Sequence, residues 1–169
     1  MNNLNEQFSL IYDQYIEKIY RYVYIKVNSQ EIAEDISSKV FLKTWEAYQK
    51  DQGKIDNPKA FLYQVARNMV VDHYREKGRT QIVSADHIGQ IQDHKTNLYE
   101  KAALHSDIEV VKSAIQNIKK EYQDVLIWHY LEDMPADQIA AILDKPTSTV
   151  RVMIHRGLKA LKGELSQES

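Results

Sequence analysis

Residues 136–158 read ADQIAAILDKPTSTVRVMIHRGL, and this stretch decides the fold. Ile139, Ala140 and Leu143 recur at helical spacing and mark a short helix. Asp144-Lys145-Pro146 has turn composition. Val150, Ile154, Leu158 and Leu161 then define the apolar face of a second helix that opens near Thr147. Two helices joined by so short a turn have the spacing of a helix-turn-helix, which sets its second helix in the major groove of DNA. That helix must present small polar and basic side chains from its N-terminal end. Thr147, Ser148, Thr149, Arg151, His155 and Arg156 supply them. An αα-hairpin with a solvated basic face has the same periodicity. The stretch 145–163 favours DNA, because it holds five basic residues and no acid.

Upstream, Ser106 and Glu109 form a capping box ahead of Ile108, Val111, Ile115 and Ile118. A helix from about Lys120 to Leu131 carries Tyr122, Val125, Leu126 and Trp128, and Met134-Pro135 ends it. Residues 80–105 are polar and mixed, with no sustained period, and read as a linker. In the N-terminal part, Ile11, Tyr12, Tyr15, Ile19, Tyr22 and Val23 define a first helix. Asn28 with Glu31 is a capping box for a second helix, with Ile32, Ile36, Val40, Phe41 and Trp45 on one stripe. Asp51-Gln52-Gly53 reads as a loop. Asn57-Pro58 opens a third helix, which carries Phe61, Leu62, Val65, Ala66, Met69 and Val70 and is expected to stop at Gly78. The fold class is therefore all-α: two small helical modules, 1–79 and 106–169, joined by a linker over 80–105, with a helix-turn-helix in the second.

Composition narrows the function. The 169 residues are 43% hydrophobic and 27% charged, which suits a globular protein. With no cysteine, disulfide scaffolds and Cys-ligated zinc sites are excluded. Residues Met1–Leu10 lack the features of a signal peptide, and no apolar run is long enough to span a bilayer, so a cytoplasmic protein without membrane insertion is expected. The net charge is only −2, but basic residues are concentrated in 58–79 and 145–163, whereas 106–144 has three bases against eight acids. A protein that grips DNA unaided usually carries more positive charge. Basic faces on an acidic body point to DNA contact made with the help of another protein.

Two further surfaces are candidates. In the third helix Arg67, Asn68, Arg75, Lys77 and Arg79 lie near Phe61, Tyr63 and Tyr74, a mixture that suits phosphate neutralisation and base stacking on separated strands. An amphipathic helix with snorkelling arginines is the plainer alternative. In the second helix Phe41-Leu42 widens the apolar stripe beyond what one neighbour covers, which fits either a partner helix or burial on two sides. The six histidines show no metal-ligand spacing, and the chain has no nucleophile elbow, P-loop or dinucleotide-binding glycine motif. Glu34-Asp35 and Glu132-Asp133 are adjacent pairs that helical geometry points apart, so they read as solvated charges. No catalytic residue, cofactor or metal is expected.

Together these segments resemble a known family. Ile32-Ala33-Glu34-Asp35-Ile36 followed by Val40-Phe41-Leu42-Lys43-Thr44-Trp45 is similar to the core-binding helix of bacterial RNA polymerase sigma factors of the extracytoplasmic-function (ECF) group. Residues 58–68 with Asp72-His73-Tyr74-Arg75 resemble that group's helix for the −10 element, and 118–165 resemble sigma region 4. The resemblance covers about 8–79 and 106–165. It departs from the family pattern at Ser38-Lys39, where the family carries Gln-Glu, and at Val152-Met153, where it carries Ser-Arg; the latter is expected to remove a DNA contact.

The resemblance implies a sigma factor. Asp35, Ile36, Lys39, Phe41, Leu42 and Trp45 would bind core RNA polymerase. Phe61, Tyr63, Arg67, Asn68, Asp72 and Arg75 would act at the −10 element, with the Asp51–Asn57 loop beside the pocket for an unstacked base. Thr147, Ser148, Thr149, Arg151, His155 and Arg156 would act at the −35 element; the family's capping serine falls on Pro146 here, so the cap is expected to shift to Thr147 or to be supplied otherwise. Partners would be bacterial core polymerase, promoter DNA and an anti-sigma factor or other recruiting protein. The alternative is a stand-alone helix-turn-helix regulator, which should dimerise and bind duplex DNA without polymerase. An adaptor binding only proteins is disfavoured by the basic recognition helix, and an enzyme by the lack of any catalytic constellation.

Overall fold

The computed structural model describes residues 3–83 and 106–167, and every regular element among them is helical. In chain order these are α1 (Asn3–Val27), α2 (Gln30–Lys50), α3 (Pro58–Val83), α4 (Ser106–Gln116), α5 (Lys120–Leu126), a π turn (Ile127–Leu131), α6 (Ala136–Leu143) and α7 (Thr147–Gln167). The expected linker lies mostly in residues 84–105, outside the described residues.

The first three helices pack on one another around Ile19, Tyr22, Val23, Val40, Leu62, Ala66 and Val70. The junction of α1 and α2 differs from the expected capping box. Asn28 adopts a left-handed conformation (φ 55°) and its N–H closes α1 on Tyr24 O, while Ser29 caps α2 by accepting from the Ile32 N–H. Asparagine tolerates that region better than most residues, so it ends one helix and leaves the cap of the next to serine. The Asn57 carboxamide accepts from the Ala60 N–H and caps α3, with Pro58 as first helical residue, as the sequence suggests. That helix does not stop at Gly78 but runs on to Val83. A glycine within a helix costs only about 1 kcal/mol relative to alanine, and Gly78 has no left-handed geometry that would end it.

The last four helices enclose Val125, Leu126, Ile127, Met134, Ile139 and Val150. Gly157 lets α7 lie close on α5: a Cβ there would come within 3.2–3.3 Å of Tyr122 and Leu126. The expected single helix 120–131 changes at Ile127 into a π turn, closed by Glu132 N–H to Ile127 O, and Met134 N–H then reaches back to Trp128 O. One extra residue in the turn rotates the downstream chain by about 100° relative to a continuous α-helix. Asp144 takes the left-handed conformation that ends α6 (φ 53°). The first intrahelical bond of α7, from Val150 N–H, goes to Pro146 O, so Pro146 and not Thr147 occupies the cap position.

The two helical groups share one continuous core. Trp128 is wholly buried, with its ring 5.3 Å from that of Tyr22 on α1 and 5.8 Å from that of Tyr63 on α3. Gln64 of α3 donates to the main-chain oxygens of Ala141 and Ile142, just before the turn of the helix-turn-helix.

Candidate functional site

The exposed face of α7 carries the sequence-predicted recognition residues. Ser148, Thr149, Arg151, His155 and Arg156 are exposed and Thr147 is half-buried, while Val150, Met153 and Ile154 turn inward. The helix starts after a proline that has no side-chain cap to offer. Among the described residues, Arg151, His155 and Arg156 form no ion pair with a carboxylate. Such a face can neutralise phosphates and reach base edges.

Near the N-terminus, α1 and α2 form an open groove of about 370 Å³ lined by Asn5, Phe8, Ser9, Tyr12, Phe41, Leu42 and Trp45. Phe41 is buried, its ring edge-on to Tyr12 at 4.9 Å, and Trp45 lies 5.0 Å from Phe8. Leu42 is 58% exposed. Asp35 and Lys39 are exposed and pair with each other at 3.0 Å, one helical turn apart. Ile36, expected at this surface, is instead a core residue. Sequence reasoning missed Phe8 and Tyr12 as parts of the groove; their place on the apolar stripe of α1 was the available signal.

The α3 residues divide. Asn68, Asp72 and Arg75 are exposed or nearly so, with Arg75 within 3.8 Å of Asp72. Phe61 is half-buried. Tyr63, expected as a stacking surface, is fully buried at the contact between the helical groups, because its ring completes the cluster with Tyr22 and Trp128. Burial, with the Glu132 carboxylate nearby, pushes its phenol well above its ordinary pKa, and among the described residues neither its hydroxyl nor the Trp128 indole N–H has a hydrogen-bond partner. Tyr74 is also turned inward, donating to Lys26 O, with the Lys120 ammonium 4.2 Å over its ring.

Arg67 is drawn to the same contact. Its Nε lies 3.2 Å from Asp124, a buried carboxylate that also accepts from the Tyr22 hydroxyl at 2.8 Å and pairs with Lys26 Nζ at 3.1 Å. Lys26 is itself buried and donates to Gln123 Oε1 at 2.9 Å. Burial lowers the Lys26 pKa, against the pull of Asp124. For Tyr22, burial and the Asp124 charge both act upward. Nearby on α1, Arg21 forms a two-pronged pair with Glu132, at 2.8 and 3.0 Å, which raises the Arg21 pKa. Glu132 was expected to be a solvated charge; the π turn instead delivers it to Arg21, with its carboxylate inaccessible to solvent. Asp124 and Glu132 are not recognisable from sequence, since their partners on α1 lie 102 and 111 residues away.

Among the described residues no cluster of potential ligands could hold a metal ion, and no helix is long and apolar enough to cross a membrane.

Comparison with known proteins decides among the readings. A family model described as Sigma-70 region 2 matches residues 11–80, and one described as Sigma-70, region 4 matches residues 108–161. The chain belongs to the sigma-70 family, in its ECF group. It is 23% identical over 166 residues to the ECF RNA polymerase sigma factor SigX of Bacillus subtilis, covering 94% of this chain and 84% of SigX. It is 27% identical to SigW of the same organism, covering 95% of this chain and 89% of SigW. It is 24% identical to BldN of Streptomyces coelicolor, where 92% of this chain spans 59% of the relative. The fold resembles that of the sigma factor RpoE in its complex with the anti-sigma factor NepR from Bartonella quintana, with a TM-score of 0.67, 16% identity and 98% of each chain covered. As a sigma factor, this chain directs promoter-specific initiation by RNA polymerase, and its family consists of regulators that are generally not enzymes.

Proposed function

We propose that this sigma factor works through three surfaces of its own. The α1–α2 groove, with Leu42 at its open edge and Asp35, Lys39, Phe41 and Trp45 around it, docks on core RNA polymerase. Ile36 supports that surface from the core. The open side of α3, with Asn68, Asp72 and Arg75, acts at the −10 element, beside the Asp51–Asn57 loop. Phe61 and Arg67 flank it, and Tyr63 joins it only when the two helical groups part. The exposed face of α7, with Thr147, Ser148, Thr149, Arg151, His155 and Arg156, enters the major groove of the −35 element. Functional units of 1–79 and 106–169, tethered through 80–105, fit this division.

The observation that carries the reading is the α7 face: basic and polar side chains at groove-reading positions, exposed and unpaired with carboxylates among the described residues, behind a helix-turn-helix bend. Its modest charge suits a subunit delivered to DNA by a larger enzyme. A cytoplasmic location follows from that role. A sigma factor of similar fold is held by an anti-sigma factor in its solved complex, and a protein of that class is the partner proposed to restrain this chain.

The test is to add the purified chain to bacterial core polymerase on fragments of the source genome and map the transcript starts. A shared upstream pair of sequence elements is the expected result. Tight, sequence-specific duplex binding by the chain alone, without polymerase-dependent transcripts, would establish a stand-alone regulator instead.

A further inference from the structure

We infer that Val152 reads the 5-methyl group of a thymine in the upstream promoter element, which deepens, and rests on, the assignment of α7 as the groove-entering helix. The family resemblance pairs Val152 with Met153 as a lost DNA contact, but the structure separates them. Met153 is buried in the core, whereas Val152 is 46% exposed in the middle of the recognition face. Its neighbours one turn back are Ser148 and Thr149, one turn on His155 and Arg156, and beside it Arg151; all five are exposed.

An isolated surface valine is ordinary on most helices. This one is ringed by hydroxyls, an imidazole and two guanidinium groups, so it has no apolar neighbour on its own face and does not extend an apolar patch that a protein partner could cover. A β-branched side chain is also stiff in a helix, since one χ1 rotamer dominates, so its two methyl groups are presented in a fixed direction. In the major groove the thymine methyl is the apolar group among the hydrogen-bond donors and acceptors of the base edges. A helix that sets its hydroxyls and guanidinium groups on phosphates and polar base edges therefore brings Val152 to the groove floor with a single complementary target. Arg151, adjacent in sequence, would read a purine edge next to that thymine or on the opposite strand, which gives the pair a combined preference that neither has alone.

The experiment uses the full chain reconstituted with bacterial core polymerase. A duplex promoter library randomised over the upstream element is selected for binding, and each thymine of the selected sequence is then replaced by deoxyuridine, which removes only the methyl group. At one position the replacement should weaken binding about fourfold, the effect of one buried methyl group. Val152→Ser should bind the thymine and uracil duplexes equally, and Val152→Ala should retain a reduced preference. Both variants should melt no lower than the parent by more than a degree or two, since the side chain is half exposed. If uracil is tolerated at every position, or if the penalty persists unchanged in both variants, the inference is overturned and Val152 is an ordinary surface residue. If selection enriches no upstream sequence at all, the assignment of α7 fails, a result distinct from the failure of Val152 alone.

Discussion

Replacing Asp124 by alanine tests the contact between the two helical groups at its most heavily shared carboxylate. Asp124 accepts from Tyr22, pairs with Lys26 and receives Arg67. Arg67 is partly exposed and can turn to water, so its loss costs little. Lys26 cannot: its side chain is 4% accessible, and only Gln123 Oε1 remains beside its ammonium. Removing one partner of a buried ion pair costs about 3–5 kcal/mol, and the orphaned Tyr22 hydroxyl lies within the same loss, because the contributions are not additive. That is a large share of the roughly 5–15 kcal/mol typical of a folded domain. The protein has two ways to lower the cost. Lys26 can release its proton, since burial already depresses its pKa and Asp124 is what opposes that depression. Between the folded Lys26 pKa and its ordinary value of 10.5 the unfolded chain binds more protons than the folded one. Without Asp124 the folded Lys26 pKa falls further, so between the parent's and the variant's folded values the variant gains stability with rising pH while the parent does not, and the penalty should shrink as pH rises through that interval. The helical groups can also part, exposing Trp128. Urea unfolding in a Trp45→Phe background, followed by Trp128 emission, reads both. The expected result is a midpoint lowered by the equivalent of about 3 kcal/mol or more, or a red-shifted Trp128 in the folded state. Lys26→Met with Asp124→Leu should recover most of the loss. An unchanged midpoint with unshifted emission, or a double variant as unstable as both single losses combined, would refute the assignment of Asp124 as the hub.

Other outcomes rest on the same geometry. Tyr63→Phe removes a buried hydroxyl with no partner, so stability should be unchanged or raised by up to about 1 kcal/mol, measured by thermal melting. Tyr22 and Tyr63 have raised folded pKa values, so the stability they hold below pH 10 is lost as pH rises beyond it; Tyr63→Phe should flatten that decline in a denaturation series from about pH 9 to 11. Leu42→Asp places a charge on the open edge of the α1–α2 groove and should weaken co-purification with core polymerase at least about tenfold while leaving the melting temperature within a few degrees. Arg151→Ala should relax preference at one base pair of the upstream element by about 1–3 kcal/mol, whereas Arg156→Ala should weaken holoenzyme binding to all sequences and reduce its salt dependence by about one phosphate contact.

The elements legible in the sequence are those whose cause is local. Helix periodicity, the Asn57-Pro58 start and the Asp144 bend each depend on residues within a turn or two, and all appear where the sequence places them. The α7 face was legible for the same reason, since exposed and buried positions alternate with the helix period. Local signals failed where two residues could do one job, as with Asn28 and Ser29, and where a weak signal was overridden, as at Gly78. They had nothing to say about the π turn, which is held by Trp128 and Glu132 finding partners on α1 and α3. Tyr63 shows the same limit: its place on the helix was readable, but what covers it comes from a residue 65 positions away.

The contact around Asp124 and Trp128 joins two parts of one chain, so dilution does not weaken it. Tethering replaces a bimolecular encounter by an intramolecular one, so the two halves meet at a fixed effective concentration that dilution of the protein does not change. A ligand that needs the Arg67 and Tyr63 side of α3 binds only the opened fraction, and each step of about 1.4 kcal/mol in closure lowers its apparent affinity about tenfold. If Arg67 and Tyr63 act at the −10 strands as proposed, the affinity of this sigma factor for those strands would depend on how tightly it holds itself as well as on the residues that face the DNA, and substitutions at the buried hub would raise that affinity without touching a single contact to nucleic acid.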